Sequence, residues 1–202
     1  MTTAAFRPAL PGGAMRPVGA VLATASIALL VLPFFSTFGE LLTNAAMATG
    51  LDAALGQWIA PTEAQVVHGA LALVGLRSAA QGSVLQVGDG VRSVSLYISW
   101  NCVGWQTLIF LAVSMVSGLY GEYTMRSRVE TVLLGIAGIL LLNIARITVV
   151  AIVAFAFGQL PAIIVHDYGS VLATVAFLMA FWAFAYNVVL VRAAPPDEPS
   201  TS

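Results

Sequence analysis

The sequence predicts an all-α polytopic membrane protein: about four transmembrane helices, one or two amphipathic or re-entrant helices, and a small extracytoplasmic β-hairpin. Two observations lead to this fold class. Of the 202 residues, 59% are hydrophobic and only 8% are charged, whereas a soluble domain carries about 25% charged residues. The apolar residues also gather in runs long enough to cross a bilayer. With no lysine and a net charge of −1, we expect a lipid bilayer and no nucleic acid as partner.

The two ends of the chain predict flexible tails around one membrane domain. Residues 1–17 carry arginines among helix-breaking prolines and glycines, and predict a flexible cytoplasmic tail. Residues 193–202 are rich in proline, serine and acidic residues, which predicts disorder. Val18 to Phe38 supplies the ~20 apolar residues that a span requires. No small-residue cleavage site clearly follows this run, so we interpret it as an uncleaved first helix. Residues 18–192 then form a single integral membrane domain.

Two segments, 41–60 and 62–77, are rich in alanine and leucine but interrupted by polar side chains. Their composition predicts helices and leaves two arrangements open. Either both cross the membrane, or both lie at its surface or re-enter it. The side of the membrane on which the following residues emerge is the same in both cases, because zero and two crossings are equivalent.

Residues 83–99 change to a period of two. Val94, Leu96 and Ile98 alternate with polar or aromatic residues after a Gly-Asp-Gly sequence at 88–90. Alternation beside such a turn is typical of a β-hairpin. An open sheet edge cannot sit in lipid, so we expect the hairpin above one membrane face.

Three more spans are predicted at about 101–120, 129–158 and 167–191. Cytoplasmic loops carry an excess of arginine and lysine, and this bias sets the orientation of the helices. A four-span count places five arginines on one side: Arg7, Arg16, Arg126, Arg128 and Arg192. Only Arg77 and Arg92 fall on the other. We therefore expect a multi-pass protein of the plasma membrane with both termini in the cytoplasm and the hairpin facing outward.

Cys102 is the single cysteine of the chain. A single cysteine excludes an intramolecular disulfide, a CxxC redox pair and a cysteine-cluster metal site. We expect no metal and no cofactor. A lone thiol is either a small buried hydrophobe or a nucleophile. The start of a membrane helix favours the thiolate. Asn101 can cap that helix, and Gly104 permits a close backbone approach by a substrate.

Arg146 lies inside the longest apolar run. An arginine within a span costs at least ~2.5 kcal/mol, and such residues usually face a polar cavity; the alternative is snorkelling to the outer headgroups. Asn143 shares its helical face, which favours the cavity. Arg146 follows Val129 by 17 residues, or roughly 25 Å of helix. This depth matches the outer boundary at which Cys102 and His166 are predicted to begin their helices.

His166 has a side chain that titrates near neutral pH, which suits a proton shuttle. The alternative is an interfacial side chain that caps the last helix. Asp167 follows it directly but points about 100° away on a regular helix, so we do not expect it to orient the imidazole. Tyr168 is a candidate hydrogen-bond donor in the same pocket. His68 is interpreted as a surface or packing residue.

These motifs resemble those of the exosortase/archaeosortase family of membrane cysteine transpeptidases. The resemblance rests on Asn101-Cys102-x-Gly104 at the head of a membrane helix, on Asn143-x-x-Arg146-Ile147, and on His166 shortly before a Tyr-Gly pair. It covers about residues 70–190, and it implies a catalytic core at about 83–191.

The resemblance implies a role for each of three side chains. Cys102 would attack the scissile carbonyl of a sorting signal and form a thioacyl intermediate. Arg146 would stabilise the thiolate and the developing oxyanion, and His166 would act as general acid and base. The substrates would be secreted proteins with a C-terminal motif, a transmembrane helix and a basic cluster, and the product would pass to an envelope acceptor.

Two alternatives remain at this point. A degenerate member of the family would bind such tails and form no covalent intermediate. A small transport or scaffold protein would instead use Arg146 and Asn143 to line a polar path. The thiol separates these alternatives from the enzyme, because transport has no need of Cys102.

Overall fold

The computed structural model describes residues 37–193. The predicted tail at 1–17, nearly all of the predicted first span and residues 194–202 lie outside the described part. The chain divides into two units, Met1–Leu41 and Leu42–Ser202, and apart from the first residues of helix α1 the architecture given below is that of the second unit.

The segment between the first predicted span and the hairpin is helical, as predicted, but its break lies at a different residue. Helix α1 covers 37–49, and Gly50, at φ +73°, separates it from the next helix. That helix runs without interruption through Pro61, which lies in the first turn of α3. Its three consecutive parts are α2 (Leu51–Ala54), a π-turn (Leu55–Ile59) and α3 (Ala60–Leu73).

A three-stranded antiparallel sheet follows, in the order β1-β2-β3. Its strands are β1 (Ser78–Gln81), β2 (Val84–Gly88) and β3 (Ser93–Tyr97). The predicted hairpin is confirmed as β2–β3, whose turn is closed by Asp89 accepting the backbone amides of Val91 and Arg92 at 2.9 and 2.8 Å. Strand β1 was not predicted. Its sequence, Ser-Ala-Ala-Gln, has no β-branched residue and no hydrophobic alternation, and it becomes a strand by pairing with β2.

The sheet packs against the first helical segment. Leu85 and Val87 of β2 and Val67 and Leu71 of α3 are fully buried in one hydrophobic cluster, which extends to Ile147. This cluster fixes the sheet next to both α3 and the long helix that carries Arg146.

Within residues 37–193, three helical segments are long and apolar enough to cross a membrane: Trp100–Gly118, Met125–Phe157 and Gln159–Val189. They correspond to the three predicted spans after the hairpin. Their regular parts are α4 (Trp105–Gly118), α5 (Met125–Phe157), α6 (Gln159–Ile164) and α7 (Ser170–Phe184). A π-turn at Val165–Gly169 joins α6 to α7.

The last span begins at Gln159, eight residues earlier than predicted. Gly158 adopts φ +92°, which ends α5 and lets the next helix start at once. Pro161 falls in the first turn of α6, where a missing backbone N–H breaks no intrahelical bond. The prediction that His166 opens this helix is therefore wrong, because seven helical residues precede it.

The ends of the spans distant from the sheet are joined by backbone hydrogen bonds. Thr124 N–H donates to Val191 O at 3.0 Å, and Ala193 N–H donates to Glu122 O at 2.8 Å. The α4–α5 loop and the end of the last span therefore lie together, which is the neighbourhood that the arginine count assigns to the cytoplasmic side.

Candidate functional site

Cys102 lies in a tight turn rather than at the first position of a helix. The 3₁₀ turn Trp100–Cys102 follows the sheet, and the Cys102 amide donates to Ser99 O at 2.9 Å. The Ser99 hydroxyl also lies 3.3 Å from the Cys102 thiol. Trp100 and Trp105 stack on each other with ring centroids 5.9 Å apart. Helix α4 begins only at Trp105, so the thiol is held by the turn and by its serine neighbour.

Gly104, and not Asn101, is the N-cap residue of α4. The expectation that Asn101 caps this helix is wrong, because the chain passes through the 3₁₀ turn before α4 begins. Gly104 has φ +74°, a left-handed conformation that favours glycine. A Cβ here would lie 2.9 Å from Asn143 Cγ. Packing against Asn143 therefore requires glycine at this position, and the close approach of a substrate backbone to Gly104 stays a prediction.

Arg146 reaches the cysteine turn from α5. Its Nη2 atom donates to the Cys102 carbonyl oxygen at 2.8 Å. Its Nε atom is buried and has no hydrogen-bond partner among the described residues. The arginine therefore points inward to the turn rather than outward to lipid headgroups, and it links α5 directly to the backbone of Cys102.

His166 approaches the same cysteine from the last span. Its Nε2 atom lies 3.6 Å from Cys102 Sγ, within the loose range that thiol–imidazole pairs show before substrate binds. His166 belongs to the π-turn at Val165–Gly169, and its carbonyl oxygen accepts the Ser170 hydroxyl. Single π-turns within α-helices often occur at functional sites. The turn places the imidazole of His166 against the thiol.

Asp167 does contact the imidazole, contrary to expectation. Its Oδ1 atom lies 2.9 Å from His166 Nδ1. The expectation assumed the angular spacing of a regular α-helix, but the wider π-turn brings successive side chains closer together in angle. A carboxylate on Nδ1 favours the tautomer with its proton there, which leaves a lone pair on Nε2 facing the thiol.

A buried polar layer lies behind Arg146. Asn143 is 4% exposed, and its side-chain amide donates to Glu63 Oε1 at 2.9 Å. Glu63 comes from α3, is 8% exposed, and its Oε2 atom has no hydrogen-bond partner among the described residues. Glu63 lies outside the three candidate spans. Burial raises the pKa of its carboxyl, while the Asn143 hydrogen bond and the charge of Arg146 act in the opposite direction.

The remaining predicted residues lie at the edge of this arrangement or outside it. Asn101 is exposed, and Tyr168 is 57% exposed on the π-turn. His68 Nδ1 lies 2.7 Å from Ser78 Oγ, which joins α3 to β1 and agrees with the packing interpretation. The structure thus brings Cys102, Arg146 and His166 together, with Asn143 and Gly104 behind them.

The family is shown by comparison with known proteins. The family model described as "Transmembrane exosortase (Exosortase_EpsH)" matches residues 3–182 of this chain. The chain belongs to the transmembrane exosortase family. Comparison with curated proteins and with solved structures gives no significant match.

Three residues of this candidate site were not predicted from the sequence. Ser99 lies three residues before Cys102, and Asp167 directly follows His166. Ser99 was not considered as a partner of the thiol because we assigned it to the hairpin. Glu63 was noted only as a polar interruption of an apolar helix. An acidic residue in such a segment is a usable signal, since a carboxylate is rarely buried unless it has a partner. The partner, 80 residues away, is not visible in sequence.

Proposed function

We propose that this exosortase is a membrane cysteine transpeptidase that cleaves C-terminal sorting signals of secreted proteins. The observation that carries the proposal is the Cys102–His166 pair, with Asp167 on the far imidazole nitrogen. A nucleophile beside a base, with the base oriented by a third group, is the arrangement used in covalent acyl transfer.

The first half of the reaction would form a thioester. The thiol proton moves to His166 Nε2, and the sulfur electron pair attacks the scissile peptide carbonyl. The C–N bond of the tetrahedral intermediate then breaks, and the proton on Nε2 passes to the leaving amine. The N-terminal part of the substrate remains on Cys102 as an acyl group.

The second half would transfer that acyl group. An acceptor amine, hydroxyl or water attacks the thioester while His166 Nε2 takes its proton. Collapse of the intermediate expels the Cys102 sulfur, which regains a proton from the imidazole. Positioned general acid–base groups contribute about 10²- to 10⁴-fold to such steps.

Arg146 would supply positive charge next to the reacting atoms. Its bond to the Cys102 carbonyl sets the guanidinium beside the cysteine turn. A fixed cation at this position stabilises both the thiolate and the oxyanion, and such electrostatic stabilisation is usually large in a site that excludes water. The buried Nε atom indicates an environment of this kind.

The proposed orientation places this site at the outer face of the plasma membrane, with both termini in the cytoplasm. A substrate with a short motif, a transmembrane helix and a basic cluster would present its motif at that level. Substrate helix and enzyme would then meet within the bilayer, and the basic cluster would stay on the cytoplasmic side.

Processing of a reporter tests the reaction. The reporter carries the C-terminal tail of a secreted protein from the same genome, and its shortening is followed in cells that express the exosortase. We expect wild type to shorten it, and Cys102→Ala to insert into the membrane but leave the reporter intact. Cys102→Ser is the matched control for side-chain size, and we expect little or no processing from it. Full processing by Cys102→Ala would refute the nucleophile assignment.

Labelling of the single cysteine in intact cells tests the site without a substrate. A membrane-impermeant maleimide is applied across pH to wild type and to Arg146→Ala. We expect fast labelling of wild type at neutral pH and slower labelling of the variant. Labelling only after detergent unfolding would mean a buried, inert thiol.

The transport alternative retains one supporting observation. A narrow cleft between α4, α5 and α7 reaches Asn143 and Arg146, and the other residues that line it are Thr107, Ser170 and Thr174 together with the apolar Ile139, Leu142 and Ala173. A transport or scaffold role predicts that Cys102→Ala behaves as wild type in every assay. The reporter experiment therefore separates the two functions.

A further inference from the structure

Two oppositely charged side chains are each incompletely paired behind the cysteine turn. Glu63 Oε2 on α3 and Arg146 Nε on α5 are both buried, and neither has a hydrogen-bond partner among the described residues. The other oxygen of Glu63 accepts a hydrogen bond from the side-chain amide of Asn143 at 2.9 Å. Asn143 lies one helical turn from Arg146, on the same face of α5. The Glu63 carboxyl is therefore held next to the face of α5 that carries Arg146.

Burial makes this arrangement unfavourable unless the charges compensate each other. An isolated carboxylate or guanidinium removed from water loses several kcal/mol of hydration, and a partner of opposite charge offsets that loss. Arg146 lies one helical turn from the Asn143 side chain that holds Glu63, and its positive charge opposes the rise that burial causes in the pKa of the Glu63 carboxyl. Each side chain is therefore the available counterion of the other.

We propose that Glu63 is the buried counterion of Arg146 and the positioning residue that holds its guanidinium at the Cys102 carbonyl. The inference rests on the proposed function only in assigning Arg146 to the reaction. Two contacts on one face of α5 lead towards the cysteine turn: Glu63 accepts from Asn143, and Arg146, three residues further along that face, donates to the Cys102 carbonyl. Glu63 touches no reacting atom, so its effect passes through the arginine.

Substitution of Glu63 and substitution of Arg146 leave different groups buried without a counterion. Glu63→Gln keeps the side-chain volume and an acceptor for Asn143, but it leaves the arginine charge buried and uncompensated. Arginine does not lose its proton in proteins. Arg146→Gln leaves a carboxyl that can take up a proton and become neutral. The glutamate variant is therefore the more destabilising of the two at neutral pH.

A double-mutant cycle on unfolding of the purified full chain in detergent tests the counterion. The four proteins are wild type, Glu63→Gln, Arg146→Gln and the double variant. We expect Glu63→Gln to lower the unfolding midpoint most, and the double variant to unfold at a higher temperature than Glu63→Gln alone. Decrements that simply add would overturn the proposal, because residues without coupling contribute independently.

An exposed ion pair on the same helix is the matched control. Arg126 and Glu130 are linked at 2.8 Å, with side chains 89% and 47% exposed. Exposed pairs of this kind contribute little. We expect the Arg126→Gln and Glu130→Gln cycle to show near-additive decrements. Equal coupling in the two cycles would mean that the assay does not report burial, and the counterion would then lose its support.

Alkylation of the single cysteine by iodoacetamide tests the positioning. We expect Glu63→Gln to slow the reaction by about threefold or more in the wild-type background and by less than about 1.5-fold in the Arg146→Gln background. The same slowing in both backgrounds would mean that Glu63 acts on the thiol without Arg146, and it would overturn the proposal. Neither readout needs a substrate, so the proposed function can fail in the reporter assay while the counterion stands.

Discussion

Gly104 combines two constraints that can be separated by mutation. Its φ of +74° lies in the left-handed region, and an added Cβ would lie 2.9 Å from Asn143 Cγ and 3.2 Å from Asn143 Cβ and Oδ1. Asn143 cannot move aside easily, because its amide is bonded to Glu63 and it is only 4% exposed. Gly104→Ala should therefore cost more than backbone strain alone.

The magnitude follows from the two contributions. A left-handed conformation costs a non-glycine residue about 1–2 kcal/mol, and overpacking a buried site adds about 1–3 kcal/mol. The sum for Gly104→Ala is about 2–5 kcal/mol. Gly75 is a matched control, since its φ is +80° and nothing lies within 4 Å of its Cβ position. Gly75→Ala should cost only the first contribution.

Thermal unfolding of the purified variants in one detergent measures the difference. At about 2–4 °C per kcal/mol for a chain of this size, Gly104→Ala should lower the midpoint by roughly 4–20 °C and Gly75→Ala by roughly 2–8 °C. Adding Asn143→Ala removes the Cγ and Oδ1 atoms from the clash, so Gly104→Ala should cost less in that background. Equal effects of the two alanine variants, or equal costs in both backgrounds, would refute the packing argument.

Three further predictions concern other parts of the chain. Asp167→Asn should slow reporter processing by about tenfold or less, since the carboxylate is 59% exposed and screened, whereas His166→Ala should cost about 10²- to 10⁴-fold; equal losses would contradict this ranking. In Arg146→Gln, burial still raises the pKa of the Glu63 carboxyl, but the opposing charge of Arg146 is gone. Folding stability should therefore be highest at acidic pH and should fall as the pH rises through that pKa. An unfolding midpoint that does not change with pH would contradict this prediction. Thr124→Ala removes the side-chain acceptor at the start of α5 and should cost about 1 kcal/mol in detergent unfolding, with processing unchanged.

The depth of Arg146 in the membrane could be predicted from the sequence, but the local geometry around Cys102 could not. Counting residues from Val129 along a helix of constant rise predicts the level of Arg146, whereas the levels of Cys102 and His166 were predicted by placing each at the start of a helix, a premise that the structure corrects. The structure does bring these side chains together. Their roles in catalysis remain predictions, and so does the orientation of the spans in the membrane.

The unpredicted parts depend on irregular backbone and distant contacts. No pattern of apolar residues distinguishes a π-turn from an α-helix, so the contact of Asp167 with His166 was not predictable. Strand β1 depends on pairing with β2 rather than on its own composition. Glu63 meets Asn143 only because α3 packs on α5, and a single sequence does not contain that packing.

Because the backbone at this end of the spans is irregular, substitution of Arg146 affects the structure as well as the charge of the site. Backbone groups released from a regular helix must find partners, and in a membrane the cost of leaving them unpaired is high. Here Arg146 satisfies the Cys102 carbonyl, as Ser170 satisfies that of His166. Arg146→Ala therefore removes a structural donor together with a charge, and its loss of activity alone does not identify the chemistry.

Arg146→Lys separates the two roles. Lysine keeps one positive charge and an N–H donor for the Cys102 carbonyl, but it lacks the planar fork of the guanidinium. We expect this variant to unfold within a few degrees of wild type yet to process the reporter at least about tenfold more slowly, because one ammonium cannot bond the carbonyl and face the oxyanion in fixed geometry. Alkylation of Cys102 in the same preparation shows whether the turn is intact. Wild-type processing by Arg146→Lys would mean that charge and a single donor are enough, and the role of the guanidinium fork would be refuted.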